Sequence, residues 1–133
     1  MRTRILLTLA AVIVIGAVPL LAHHAFSAEF DANKQVKFTA TVRKMEWINP
    51  HAWLHIDVKE ADGKVTAWAI ELGPPNALIK RGWTSESIPI GLQVIVEGYQ
   101  AKDGAKRANG REITLPNGKK LFAESSLKLE NEK

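Results

Sequence analysis

The chain reads as all-β: a small OB-like, Greek-key β-barrel with one short helix between strands 3 and 4. Three observations predict it. Apolar and polar residues alternate through several short runs, the pattern of strands with one buried face. Turn dipeptides separate some of those runs, Asp62-Gly63 and Asn117-Gly118 being the strongest. Between the third and fourth runs lies a segment punctuated like a helix at both ends. Three meandering strands, a helix and two or three further strands follow the OB-type order. A small open sandwich is the alternative architecture.

The first strand is expected from Val36, Phe38, Ala40 and Val42, which alternate with Lys37, Thr39 and Thr41. Its parity breaks at Arg43-Lys44 before Met45 and Trp47, the mark of a bulge in a long strand. Asn49-Pro50 is a turn signal. In the second strand Leu54, Ile56 and Val58 point one way and Trp53, His55 and Asp57 the other. In the third, Trp68, Ile70 and Leu72 share a face. Gly73-Pro74-Pro75 stops the sheet. Asn76 to Arg81 then reads as a helix with Asn76 as its cap and Gly82 just beyond. Leu92, Val94 and Val96 predict a fourth strand, Lys102 to Gly110 a polar basic loop, and Ile113 and Leu115 a fifth strand. Lys119 to Phe122 closes the last hairpin, and a charged tail runs from Glu124.

Ahead of the strands the residues predict an export signal, with an uncleaved membrane anchor as the alternative. Arg2 and Arg4 form its charged start, Ile5 to Leu21 its apolar stretch, and Leu20-Leu21-Ala22 its cleavage site. The expected organisation is a signal peptide over 1–22, an arm over 23–35, the barrel over 36–123 and a polar tail over 124–133. The mature protein would be periplasmic or secreted, with no membrane span after cleavage. There is no cysteine, so packing rather than disulfides must hold an exported fold of this kind together. The net charge of +4 includes Arg2 and Arg4, so the excess of positive charge belongs partly to the signal and argues poorly for nucleic acid.

Several blocks carry a resemblance: His23-His24-Ala25-Phe26, Glu29-Phe30-Asp31, Glu46-Trp47-Ile48-Asn49-Pro50-His51, Glu71 to Leu78, Arg81-Gly82-Trp83, and Gly98 to Gly104. Together they resemble a family of small exported bacterial proteins classed as a domain of unknown function. The resemblance implies secretion and a compact β-fold, and it transfers no functional residue. The site has to be argued from chemistry.

Cleavage after Ala22 would start the mature chain with a free amine followed by two imidazoles. Amine and imidazole nitrogens suit copper foremost, with zinc or nickel behind it. The candidate ligands are all four histidines of the chain: His23, His24, His51 and His55. On an extended strand His51 and His55 would lie about 13 Å apart, too far for one ion with bonds of about 2 Å. The expected set is therefore His23, through amine and ring, with His51 and either His24 or His55. Asp57 is the expected outer carboxylate, and Trp53 beside it could line a ligand face. Met45 is the one methionine after the signal, which disfavours a thioether Cu(I) site.

Other chemistries find less support. The basic cluster Lys102, Lys106, Arg107, Arg111, Lys119 and Lys120 is diluted by Asp103 and Glu112 and has no interleaved aromatic. It reads as a solvated surface that could meet an envelope protein or anionic polymer, and nucleic acid is disfavoured. Asp57, Glu71 and Glu97 sit on separate strands without a motif, and Ser85 and Ser87 lack a nucleophile elbow. Gly73-Pro74-Pro75 cannot present successive backbone donors to a phosphate. The chain is therefore expected not to be an enzyme.

Overall fold

In the computed structural model, which describes residues 26–124, the domain is mostly antiparallel β-sheet. Its strands are β1 (Phe30–Glu46), β2 (Trp53–Lys59), β3 (Val65–Glu71), β4 (Gln93–Ala101), β5 (Arg107–Thr114) and β6 (Lys120–Phe122). One short helix, α1 (Pro75–Lys80), separates β3 from β4, as expected, and a second helical turn covers residues 26–29. The expected signal over 1–22, its cleavage site, His23 and His24 lie outside the described residues, as does nearly all of the tail.

β1 is long enough to serve two neighbours. Its first part pairs with β4, its second part pairs with β2, and Ala40 and Thr41 belong to both ladders. The switch coincides with a register shift between Val42 and Lys44, where the alternation of the sequence breaks. β1 also begins at Phe30, inside the segment expected as an arm. Phe30 pairs with Ala101 and is buried there.

The sheet order is β3-β2-β1-β4-β5-β6, with an additional parallel pairing of β3 with β5. β3 thus has β2 on one side and β5 on the other. The core is formed by the inward residues: Val42, Leu54, Ile56, Ile70, Leu72, Val94, Val96 and Ile113 are all essentially inaccessible. Trp68 belongs to it, as its parity with Ile70 and Leu72 predicts.

Two expectations are corrected. Residues 107–110 are strand rather than loop, because β5 starts at Arg107 and Ala108, Asn109 and Gly110 are buried. Asn109-Gly110 looks like turn chemistry, yet here glycine serves close approach. A Cβ on Gly110 would stand 2.9 Å from both Ile70 Cγ2 and Leu72 Cδ2. Asn76 is not the helix cap either. Pro74 is the cap residue, no side chain caps the helix, and Pro75 takes its first position, where a missing N–H costs no hydrogen bond.

The helix end is tied to the far end of the chain. Gly82 turns at φ +88, and the amides of Gly82 and Trp83 donate to Ile79 O and Leu78 O. Trp83 is then buried, its indole donating to Phe122 O at 2.9 Å. Gly73 N donates to Ala123 O at 2.8 Å and Arg81 to Glu124 O at 2.7 Å. Leu78 completes the apolar contact from α1.

Candidate functional site

The β2–β3 ladder continues beyond its two strands and fixes His51. Leu72 N donates to Ala52 O and Ala52 N to Gly73 O, so the backbone immediately after His51 is held against β3. A cis peptide joins Asn49 to Pro50 just before it. Trp53 is paired with Glu71 across the ladder, and His51 shares the outward parity of Trp53. The result is a close pair: His51 Nδ1 lies 3.0 Å from Glu71 Oε1, with the imidazole one-third exposed and the carboxyl only 10 % exposed.

Glu71 is buried although its parity points outward. On its other side it pairs with Asn109 of β5, itself buried. Burial pushes the Glu71 carboxyl up to about 7, nearby Glu29 adds to that, and Arg107 opposes it. Burial also pushes the His51 imidazole down, against the pull of Glu29. Near neutral pH the pair is therefore no fixed ion pair. The imidazole stands neutral beside a carboxyl close to its midpoint.

Glu29 joins this cluster from the start of the described domain. Its backbone carbonyl accepts from Lys102 N at 2.9 Å. Its carboxylate stands 3.8 Å from Arg107, whose guanidinium also lies 4.0 Å from Asp103 and over the Phe30 ring. Glu29, His51, Glu71 and Arg107 thus form one electrostatic group at the edge where β3 meets β5.

His55 belongs elsewhere. Its Nε2 lies 3.0 Å from Glu46 Oε2, and the same carboxylate accepts from Lys44. Those two partners hold the Glu46 carboxyl below its ordinary range. The structure does not bring His51 and His55 onto one carboxylate. Half-exposed Trp53 stands between the two pairs, opposite Glu46 on β1 and Glu71 on β3. Asp57, the carboxylate expected beside the site, instead faces Arg43 at 3.8 Å. Among the described residues no group of three His, Cys, Asp or Glu side chains is arranged to hold a metal.

Four residues of the basic cluster, Lys106, Arg107, Arg111 and Lys120, make contacts within the domain. Arg111 lies 3.6 Å from Glu97, and its hydrogen bond to Tyr99 raises its pKa first among several causes. Lys120 reaches buried Glu112 at 2.9 Å, and Lys106 lies over the Trp68 ring at 5.2 Å. With Arg107 engaged as well, these residues do not form a single unpaired patch.

Sequence reasoning singled out His51 and missed its setting. Glu71 ends a strand of alternating Ala and apolar residues and carries no motif. Its burial depends on Trp53 across one ladder and β5 across the other. Glu29 sits in one of the recognisable blocks, but nothing local reports that it comes near residue 71.

A model of the family of unknown function DUF6152 matches residues 11–111. The chain belongs to that family. No curated protein and no solved structure matches it. The DUF6152 match takes in His23, His24, Glu29, His51 and Glu71 together, along with β1 to β4 and the first part of β5.

Proposed function

We propose that this chain is an exported, single-domain metal-binding module that takes up a divalent ion, copper foremost, at its mature N-terminus. The ligands are the amine and ring of His23, the ring of His51 and the ring of His24. His55 drops out of the set because its ring already faces Glu46. The scaffold is an OB-like barrel. In support, the pairings run β1–β2–β3–β5–β4 and back to β1, with the helix between β3 and β4.

One observation carries the metal reading. Glu29 acts electrostatically on both His51 and Glu71, and His23 is six residues before it. A six-residue segment spans up to about 20 Å, which supports the reading that both nitrogens serve one ion. The arm would bring the nitrogens, and the β2–β3 edge would bring the fixed imidazole.

Intact mass of exported protein tests the first requirement, since the chain must begin at His23. Copper titration of that form, beside one carrying Gly-Ser ahead of His23, tests the second. The native start should bind at least tenfold tighter. Equal weak binding by both would sink the chelate and leave a domain that works by contact with an envelope partner.

A further inference from the structure

Independently of the metal reading, we infer that the open edge of β3 at residues 65–67 is a self-association surface. It takes the same edge of a second copy of this chain as an antiparallel strand.

Parity along β3 decides which backbone groups are free. Leu72 N donates to Ala52 O and Glu60 N to Lys64 O, so the even-numbered residues turn their backbone groups toward β2. Ala69 N donates instead to Lys106 O, so the odd-numbered ones turn theirs the other way. There Ala69 and Glu71 meet Arg107 and Asn109 of β5. Val65 and Ala67 lie past the start of β5, and no backbone group among the described residues takes up their N–H and C=O on that side. Both side chains are exposed, Val65 at 58 %.

Such an edge is usually guarded by a bulge, a proline or a charge. The β2–β3 register runs from Lys59 and Val65 to Trp53 and Glu71 without a shift. The free segment is Val65-Thr66-Ala67, which holds neither proline nor charge. Lys106 beside it is laid over the Trp68 ring. An open groove of about 720 Å³ follows this edge, with Glu60, Asp62, Lys64 and Lys106 among its lining residues.

A second copy is the occupant that the charge pattern fits. Glu60 and Asp62 lie at the β2–β3 turn, and Lys106 lies at the other end of the open edge, where it accepts from Ala69. Antiparallel pairing about a twofold axis brings the turn of each copy to the Lys106 end of the other, so opposite charges meet at both ends. One register uses every free group. With Thr66 opposite its symmetry mate, Val65 and Ala67 of each copy pair with Ala67 and Val65 of the other through their N–H and C=O groups. Centring on Ala67 would set Val65 opposite Ala69, whose N–H is already taken. Centring on Val65 would set Ala67 opposite Gly63, a turn residue at φ +86. Strand addition of this kind joins two β2–β3 pairs into one sheet. So short a contact falls in the small, transient class of interfaces.

Sedimentation velocity of the exported protein in EDTA, which removes any shared ion, should show a reversible dimer with Kd on the order of 10–100 µM. Ala67→Pro deletes a donor that bonds nothing within the domain, so it should weaken the dimer about tenfold or more and leave the thermal melt near wild type. Val65→Lys places a charge on the edge and should do the same; it decides the matter if Ala67→Pro fails to fold. Lys106→Glu should weaken association, and adding Glu60→Lys in the same chain should recover it. The chain has no cysteine, so Thr66→Cys reads the register directly. Facing residues of a non-hydrogen-bonded pair stand about 4.5 Å apart at Cα, within disulfide range. This variant should therefore crosslink under mild oxidation far faster than Glu86→Cys, at an exposed position in another loop. A protein that stays monomeric up to about 1 mM overturns self-pairing and leaves the edge to an extended segment of a different protein. A dimer that Ala67→Pro and Val65→Lys leave unchanged, or equal crosslinking by the two cysteine variants, overturns this edge as the interface.

Discussion

Glu71 shows what burial does to one side chain. Its carboxyl holds a proton up to about pH 7 in the folded chain, against 4.5 when solvated. Between those values the unfolded chain is the one that has released the proton, so stability falls as pH rises through this window. A gap of that size corresponds to about 3 kcal/mol once Glu71 is fully ionised. Glu71→Gln removes the ionisation while keeping the shape. Thermal melts should therefore show the variant more stable than wild type at pH 8, with the difference closing toward pH 4.5. Coincident melting at pH 8 would mean that Glu71 carries its charge there at no cost. His51 pulls in the opposite sense: its lowered pKa makes the folded chain lose stability as pH drops below 6.5.

Among the elements, β4 and β5 meet where two glycines pair, Gly98 with Gly110, beside a register shift at Glu97 and Gly98. A Cβ on Gly98 would stand 2.1 Å from the backbone oxygen of Asn109. On Gly110 the nearest atoms, at 2.9 Å, are the side-chain methyls Ile70 Cγ2 and Leu72 Cδ2, with the backbone oxygen of Glu71 farther off at 3.3 Å. Backbone in a paired strand cannot yield, whereas side-chain ends can repack. Gly110→Ala should cost about 1–3 kcal/mol in denaturant unfolding. Gly98→Ala should cost more, about 3–5 kcal/mol, with loss of soluble protein as its extreme form. Equal costs would show that β4 can shift away from β5, so that the two strands are less firmly joined than their register indicates.

Across the whole molecule, the proposed site joins the two ends of β1's reach. The first residues of the domain come to the β3–β5 edge through Glu29, and His51 arrives there from the loop after β1. Both kinds of nitrogen must be deprotonated to bind an ion: the α-amine titrates near about 8 and imidazole near about 6.5. Copper affinity of the His23-starting protein should therefore fall steeply below about pH 6, as measured by competition with a chelator of known pH dependence. A flat profile from pH 7 to 5 would point to carboxylates as the ligands.

Local patterning marked the centres of the strands, the two hairpin turns, the bulge near Arg43, the helix after β3 and the inward residues of β2 and β3. All of these rest on alternation and turn chemistry within a few neighbouring residues, so they are written locally. It also exposed the His23-His24 pair and His51, because unusual residue types are visible without a fold. Tertiary structure alone decided that Arg107 to Gly110 is strand, since that depends on β3 and β4 lying on either side. It alone buried Glu71 and brought Glu29 near it from forty-odd residues away along the chain. Which carboxylate stands beside which histidine is a matter of strand register. Register is a relation between segments, and no single segment encodes it.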